Sequence, residues 1–146
     1  MRPVTMLGAA ALALALFAGG AQAADHVIKL RNNDGKGRFM LFEPDFIKVQ
    51  PGDTVTFVPV DKGHNAETIP EVWPEGAAPF KGAFNEEVEL TIEKPGYYAI
   101  KCLPHYTMGM VALIVAGDPT NKEQFKAFSA PGGAKKRWEE LAAQVK

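Results

Sequence analysis

The chain is 146 residues long, 47% of them hydrophobic and 23% charged, a length that suits one domain with a core of its own. Sixteen basic against seventeen acidic side chains leave a formal net charge of −1, which argues against the massed phosphate neutralisation that nucleic-acid binding needs. A single cysteine excludes an internal disulfide and a four-cysteine zinc site.

Arg2 is the only charge before Asp25, and Met6 to Ala18 is an unbroken apolar run of thirteen residues. That run is too short for the roughly 20 residues that span a bilayer. Gly19-Gly20 break it, and Ala21-Gln22-Ala23 puts small residues where a signal peptidase reads them. Residues 1–23 are therefore expected to be a cleaved export signal, with 24–146 as one soluble domain that does not insert in the membrane. Export sharpens the question of the lone cysteine, because an unpaired thiol in an oxidising compartment must be buried, reactive or metal-bound.

His26-Val27-Ile28-Lys29-Leu30 reads as a first strand, ended by the turn-rich Asn32-Asn33-Asp34-Gly35. Short strands follow at Phe39–Phe42 and Ile47–Gln50, separated by Glu43-Pro44. Pro51-Gly52-Asp53 turns the chain into Thr54–Val58, where Val55 and Phe57 share one face. Residues 61–84 lack periodicity and read as a long loop with room for one helical turn. Glu87–Ile92 alternates without error, Lys94-Pro95-Gly96 turns into Tyr97–Lys101, and Val111–Val115 suits a fully buried strand. Only the end looks helical. Thr120-Asn121-Lys122-Glu123 matches a capping box before Phe125 and Phe128, and Trp138, Leu141, Ala142 and Val145 follow the spacing of a second amphipathic helix. Seven or so short strands with turn signals at regular spacing predict an all-β sandwich with two appended helices in about 120–146. Lys48 and the Lys135-Lys136-Arg137 run read as solvated charge.

The chemistry gathers around Lys101-Cys102-Leu103-Pro104-His105-Tyr106-Thr107-Met108-Gly109-Met110. Alternation from Tyr98 and Ile100 turns Cys102 inward, and His105 and Met110 follow on one short loop. A second histidine lies in Asp61-Lys62-Gly63-His64-Asn65, while His26 has no partner nearby in sequence. Each residue taken singly has a plainer explanation: Cys102 as core thiol, Met110 as core filler, His105 as a surface histidine. Together, two imidazoles, one thiolate and one thioether make the donor set of a type 1 (blue) copper site, whereas zinc gains little from the thioether. An enzyme with Cys102 as nucleophile and His105 as base is the first rival, but an inward sulfur on a strand lacks access to substrate. A copper storage or delivery protein is the alternative, though such proteins expose their ligands for exchange.

Cys-x₂-His-x₄-Met preceded by a separate His-Asn resembles the cupredoxin signature, and the chain is similar to the pseudoazurin family over essentially all of residues 24–146. The resemblance includes Phe42-Glu43-Pro44, Pro51-Gly52-Asp53-Thr54-Val55, Val60 to Asn65, Pro74-Glu75-Gly76 and Lys101 to Met110. The cysteine spacing is shared with plastocyanin-type proteins; the two terminal helices favour the pseudoazurins. The resemblance implies a cupredoxin-like Greek-key β-sandwich of about eight strands, and a periplasmic, monomeric carrier of single electrons, one copper per chain, with His64, Cys102, His105 and Met110 as ligands. It implies that Asn65 ties the His64 and Cys102 loops together by hydrogen bonds. It also implies an apolar docking patch of Met40, Pro104 and Met108, rimmed by Lys62, Lys81 and Lys101, with Asp34 where the family often has another lysine. Nitrite reductase, other respiratory enzymes and c-type cytochromes are the partners it suggests.

Overall fold

In a computed structural model, residues 20–145 are described. Their strands are β1 (Asp25–Asn33), β2 (Phe39–Glu43), β3 (Phe46–Val49), β4 (Thr54–Pro59), β5 (Glu67–Thr68), β6 (Val88–Thr91), β7 (Gly96–Lys101) and β8 (Val111–Ala116), followed by helices α1 (Lys122–Ala127) and α2 (Ala134–Ala142). The strands form two sheets, in the orders β2-β1-β4-β6 and β3-β8-β7-β5. The pairs β1–β4 and β3–β8 are parallel, and the rest are antiparallel. Of the expected export signal, residues 1–19 lie outside the described residues, and Gly20 to Ala23 are exposed without regular structure. No helix among the described residues is long and apolar enough to cross a membrane.

Alternation explains the first sheet. Ile28, Leu30, Val55 and Phe57 are buried on its inner face, while Val27 on the other face is 52% exposed. The second sheet is buried on both faces. Tyr98, Ile100, Cys102, Ala112 and Ile114 face the other sheet, whereas Tyr97, Ala99, Val111, Leu113 and Val115 belong to a second core closed by the helices. Phe125 of α1 stacks on Tyr97 with ring centroids 4.1 Å apart, and Trp138 of α2 meets Phe128 edge-on at 4.9 Å. Each fully buried large apolar side chain contributes about 1.5–3 kcal/mol, so without the helices this outer face would stand in water at a large cost.

Four local readings change. β1 runs through Asn33, so Asn32 is a strand residue rather than part of the turn. The aperiodic stretch 61–84 contains β5 and a 3-10 turn at Pro70–Val72. β5 pairs with β7 through Glu67 opposite Lys101 and Thr68 opposite Ile100; a two-residue strand is too short for any period to register. The expected capping box does not form. Asn121 precedes α1, and its side chain is engaged with β7 instead: Oδ1 accepts Tyr97 N–H at 2.8 Å and Nδ2 donates to Tyr97 O at 3.0 Å. Thr120 Oγ1 donates to Pro95 O at 3.2 Å. These bonds tether the helix to the sheet at the expense of its own cap. In the basic run Lys135 and Lys136 are exposed, but Arg137 is not free charge: its guanidinium lies 2.8 Å from Glu140 and 3.5 Å from Asp45.

Candidate metal centre

At its end β7 delivers Cys102, fully buried, into one end of the sandwich core. The chain then makes 3-10 turns over Leu103–Met108 and re-enters the sheet as β8. Its own backbone closes the reversal: Cys102 N–H donates to Met110 O and Met110 N–H to His105 O, both at 3.1 Å. Gly109 permits the bend, at φ 107°, a conformation that side-chain-bearing residues avoid. Met110 is fully buried in the same cluster as Cys102.

His64 reaches this point from the loop after β4 and is also fully buried. Its Nδ1 stands 3.7 Å from Cys102 Sγ, and His105 Nδ1 stands 3.5 Å from it. The three atoms lie within 4.8 Å of one another. Donors bound at about 2.0–2.3 Å to one ion, roughly 110–120° apart, are separated by about 3.5–3.8 Å, and both sulfur–nitrogen distances fall in that range. Burial first, and His105 second, hold the His64 imidazole below its ordinary pKa, against the pull of Asp61. Burial pushes the Cys102 thiol up, opposed by the N–H groups of Asn65 and His105. A neutral imidazole facing a desolvated thiol is a site that a soft cation completes, displacing the thiol proton.

Supporting hydrogen bonds aim these groups. His64 Nε2 lies 2.8 Å from Asn32 Oδ1; a carbonyl oxygen only accepts, so the ring hydrogen sits on Nε2 and the Nδ1 lone pair faces Cys102. Asn65, 1% exposed, accepts Leu103 N–H on Oδ1 at 2.8 Å. Its Nδ2 donates to Glu67 Oε2 at 2.9 Å and Gly82 O at 3.2 Å, so it joins the two loops that carry the candidate ligands. Glu67 in turn faces Lys101 at 3.7 Å. Neither Asn32 nor Glu67 was singled out in the sequence. A run of two asparagines reads as a turn, and Glu67 sits in a stretch with no period to place it.

The family model described as copper binding proteins, plastocyanin/azurin family, matches residues 28–117 and stops before α1. Longer matches reach past it. The pseudoazurin of Paracoccus pantotrophus is 44% identical over 140 residues, covering 95% of this chain and 96% of its own. The pseudoazurin of Methylorubrum extorquens is 41% identical over 141 residues, covering 96% and 95%. The crystal structure of native pseudoazurin from Hyphomicrobium denitrificans superposes with a TM-score of 0.80 at 52% identity, covering 84% of this chain and 98% of that one. The chain belongs to the pseudoazurins. It is therefore a type 1 copper electron carrier of the plastocyanin/azurin family, with copper as its cofactor, and not an enzyme.

In this pseudoazurin the residues expected at the docking face fall into two groups. Pro104 and Met108 are exposed, Met108 by 60%, and lie on the loop that holds half-buried His105; Leu103 beside them is 45% exposed. Met40 is partly buried, at a positive φ of 49°, and shares with Phe39, Met108 and Arg137 a cleft of about 350 Å³. Lys62 and Lys81 are exposed. Lys101 differs from them: its ammonium lies between Glu67 and the Tyr106 ring, 5.2 Å from the ring centroid. Its charge is partly offset by Glu67.

Proposed function

We propose that this pseudoazurin is a periplasmic shuttle that takes one electron from a donor such as a c-type cytochrome and delivers it to a respiratory enzyme, nitrite reductase foremost. We assign His64 Nδ1, Cys102 Sγ and His105 Nδ1 as the copper ligands and the Met110 thioether as a fourth, weaker one. The observation that carries the reading is the meeting of those three ligand atoms within 4.8 Å directly beneath an apolar surface. Bound there, copper supplies a one-electron couple between its cuprous and cupric states.

The residues' part is to hold the ligands still. Asn32 orients His64, Asn65 locks the His64 loop to the Cys102 loop, and the backbone bonds among Cys102, His105 and Met110 keep the cysteine loop closed. A donor set that does not move between oxidation states lowers the reorganisation that each transfer requires. Pro104, Met108 and Leu103 exclude water from the His105 edge, so that a partner of similar character approaches it closely. The burial of both Cys102 and Met110 disfavours storage or delivery, which needs ligands open to exchange.

Copper loading and visible spectroscopy test the assignment. The wild type should show an intense thiolate-to-copper band, Cys102→Ser should lack it, and Met110→Ala should keep it at an altered position and potential. A coloured Cys102→Ser protein would overturn the ligand set. Stopped-flow mixing of the reduced protein with nitrite reductase tests the partner, and absence of oxidation would remove that enzyme from the proposal.

A further inference from the structure

Ordered pairing begins at Ala24. Its carbonyl accepts Thr54 N–H at 3.0 Å, and its N–H donates to Asp53 Oδ1 at 2.9 Å. Asp53 is only 6% exposed, and its other oxygen receives His26 Nε2 at 2.9 Å and Gln50 N–H at 3.0 Å. The turn beneath is fixed as well, since Asp53 N–H donates to Gln50 O and Asp53 O accepts Ile92 N–H. A buried carboxylate is thus held rigidly with one oxygen given to the backbone nitrogen of Ala24. Ala21 to Ala23, in front of it, are exposed and unpaired with any strand.

We propose that the α-ammonium of Ala24, freed when the leader expected over residues 1–23 is removed, is bound by Asp53 as an ion pair that closes the β1–β4 corner. The inference rests on the export reading. In the cut, a signal peptidase adds water across the Ala23–Ala24 peptide bond. The hydroxyl goes to the Ala23 carbonyl carbon, which leaves as a carboxylate with the leader; the nitrogen of Ala24 becomes an amine and takes up a proton. The hydrogen bond already present then changes from amide–carboxylate to ammonium–carboxylate, the stronger kind. Processing at an earlier bond would put the charge elsewhere and leave Asp53 with an amide, and processing at a later one would remove the Ala24 donor. The groups that face the amine are Asp53 from the turn before β4 and His26 from β1, with Asp25 adjacent in the chain. Asp53 is held down to about 2, first by the Ala24 N–H, then by Gln50 N–H and by His26, so it is ionised throughout the range in which the amine titrates.

Two measurements decide it. The whole precursor is expressed in a Gram-negative host, and the periplasmic protein is weighed by mass spectrometry; a chain beginning at Ala24 is expected. An exported chain beginning elsewhere overturns the processing site while leaving export intact, whereas a full-length protein held in the cytoplasm sinks both. Separately, NMR follows the α-amino titration of a chain made to start at Ala24. Its pKa should lie above the ordinary range of about 7.7–8.0, and Asp53→Asn should return it there. Because Asp53 also braces the turn, a chain begun at Ala23 with Asp53 intact is the second control. It should fold identically, with an ordinary amine and a folding equilibrium constant lower by on the order of fivefold. Equal amine pKa values in the Ala24 and Ala23 chains would overturn the ion pair.

Discussion

At His64 one hydrogen bond selects which ring nitrogen faces the core. Asn32 Oδ1, 2.8 Å from Nε2, can only accept, and that leaves Nδ1 free toward Cys102. Asn32→Ala removes the acceptor and strands a ring N–H in a fully buried imidazole. We expect a loss of about 1–3 kcal/mol in denaturant unfolding and a shifted copper band, because the ring is then free to rotate or change tautomer. An unaltered spectrum with unaltered unfolding would show that the bond has no hold on the ring. Asn65 acts on the same scale but between loops, where three hydrogen bonds from one amide span Glu67, Gly82 and Leu103.

Among the elements, the pairing of α2 with the cysteine loop is the contact that links the appended helices to the site. Gly133, just before α2, donates its N–H to Thr107 O at 2.7 Å. A Cβ placed there would lie 2.6 Å from that oxygen. Gly133 has ordinary helical angles, φ −65° and ψ −17°. On conformational grounds alone, therefore, Gly133→Ala would stabilise by about 0.4–1 kcal/mol. The clash is with backbone, which cannot swing aside, and so we expect the opposite sign: a destabilisation of about 1–3 kcal/mol with a perturbed copper spectrum. Calorimetry reads that sign directly, and a raised Tm would mean that the helix does not press on the loop.

For the whole molecule, charge acts in two ways. The net charge is close to zero, so the proposed steering toward a partner depends on where lysines stand. Lys62 and Lys81 are exposed, whereas Lys101 is turned toward Glu67 and Tyr106. Replacing Lys62 and Lys81 by alanine should slow association with an acidic redox partner several-fold at low ionic strength and flatten its salt dependence. Lys101→Ala should change that slope less. Rates measured across ionic strength decide the matter, and equal slopes for the wild type and the double variant would leave docking to the apolar patch. Acid acts through Asp53. A carboxyl whose pKa falls from its ordinary value near 3.9 to about 2 on folding adds stability that is complete above the higher value. That stability disappears as pH falls through the lower one. Thermal unfolding should therefore steepen in its pH dependence between about pH 4 and pH 2, and Asp53→Asn should flatten that window. A variant with the wild-type pH dependence would place the acid sensitivity elsewhere.

What the sequence determined by itself is whatever a short stretch of chain decides. The alternation of Val55 with Phe57 and of Tyr98 with Ile100 and Cys102 follows from the two-residue period of a strand. The approach of Cys102, His105 and Met110 follows from a loop too short to let them part. The helical spacing of Trp138 and Leu141 is equally local. Tertiary structure alone decided the rest, because a polar group's partner depends on register and sheet order rather than on its neighbours in the chain. His64 meets a sulfur 38 residues away and an asparagine 32 residues away. Asn121 leaves a local cap for Tyr97, 24 residues distant. Glu67 is buried because a two-residue strand happens to add to the β7 edge. Asp53 receives Ala24 across 29 residues because β1 and β4 run parallel with Asp25 opposite Thr54, a register that neither segment specifies without the other.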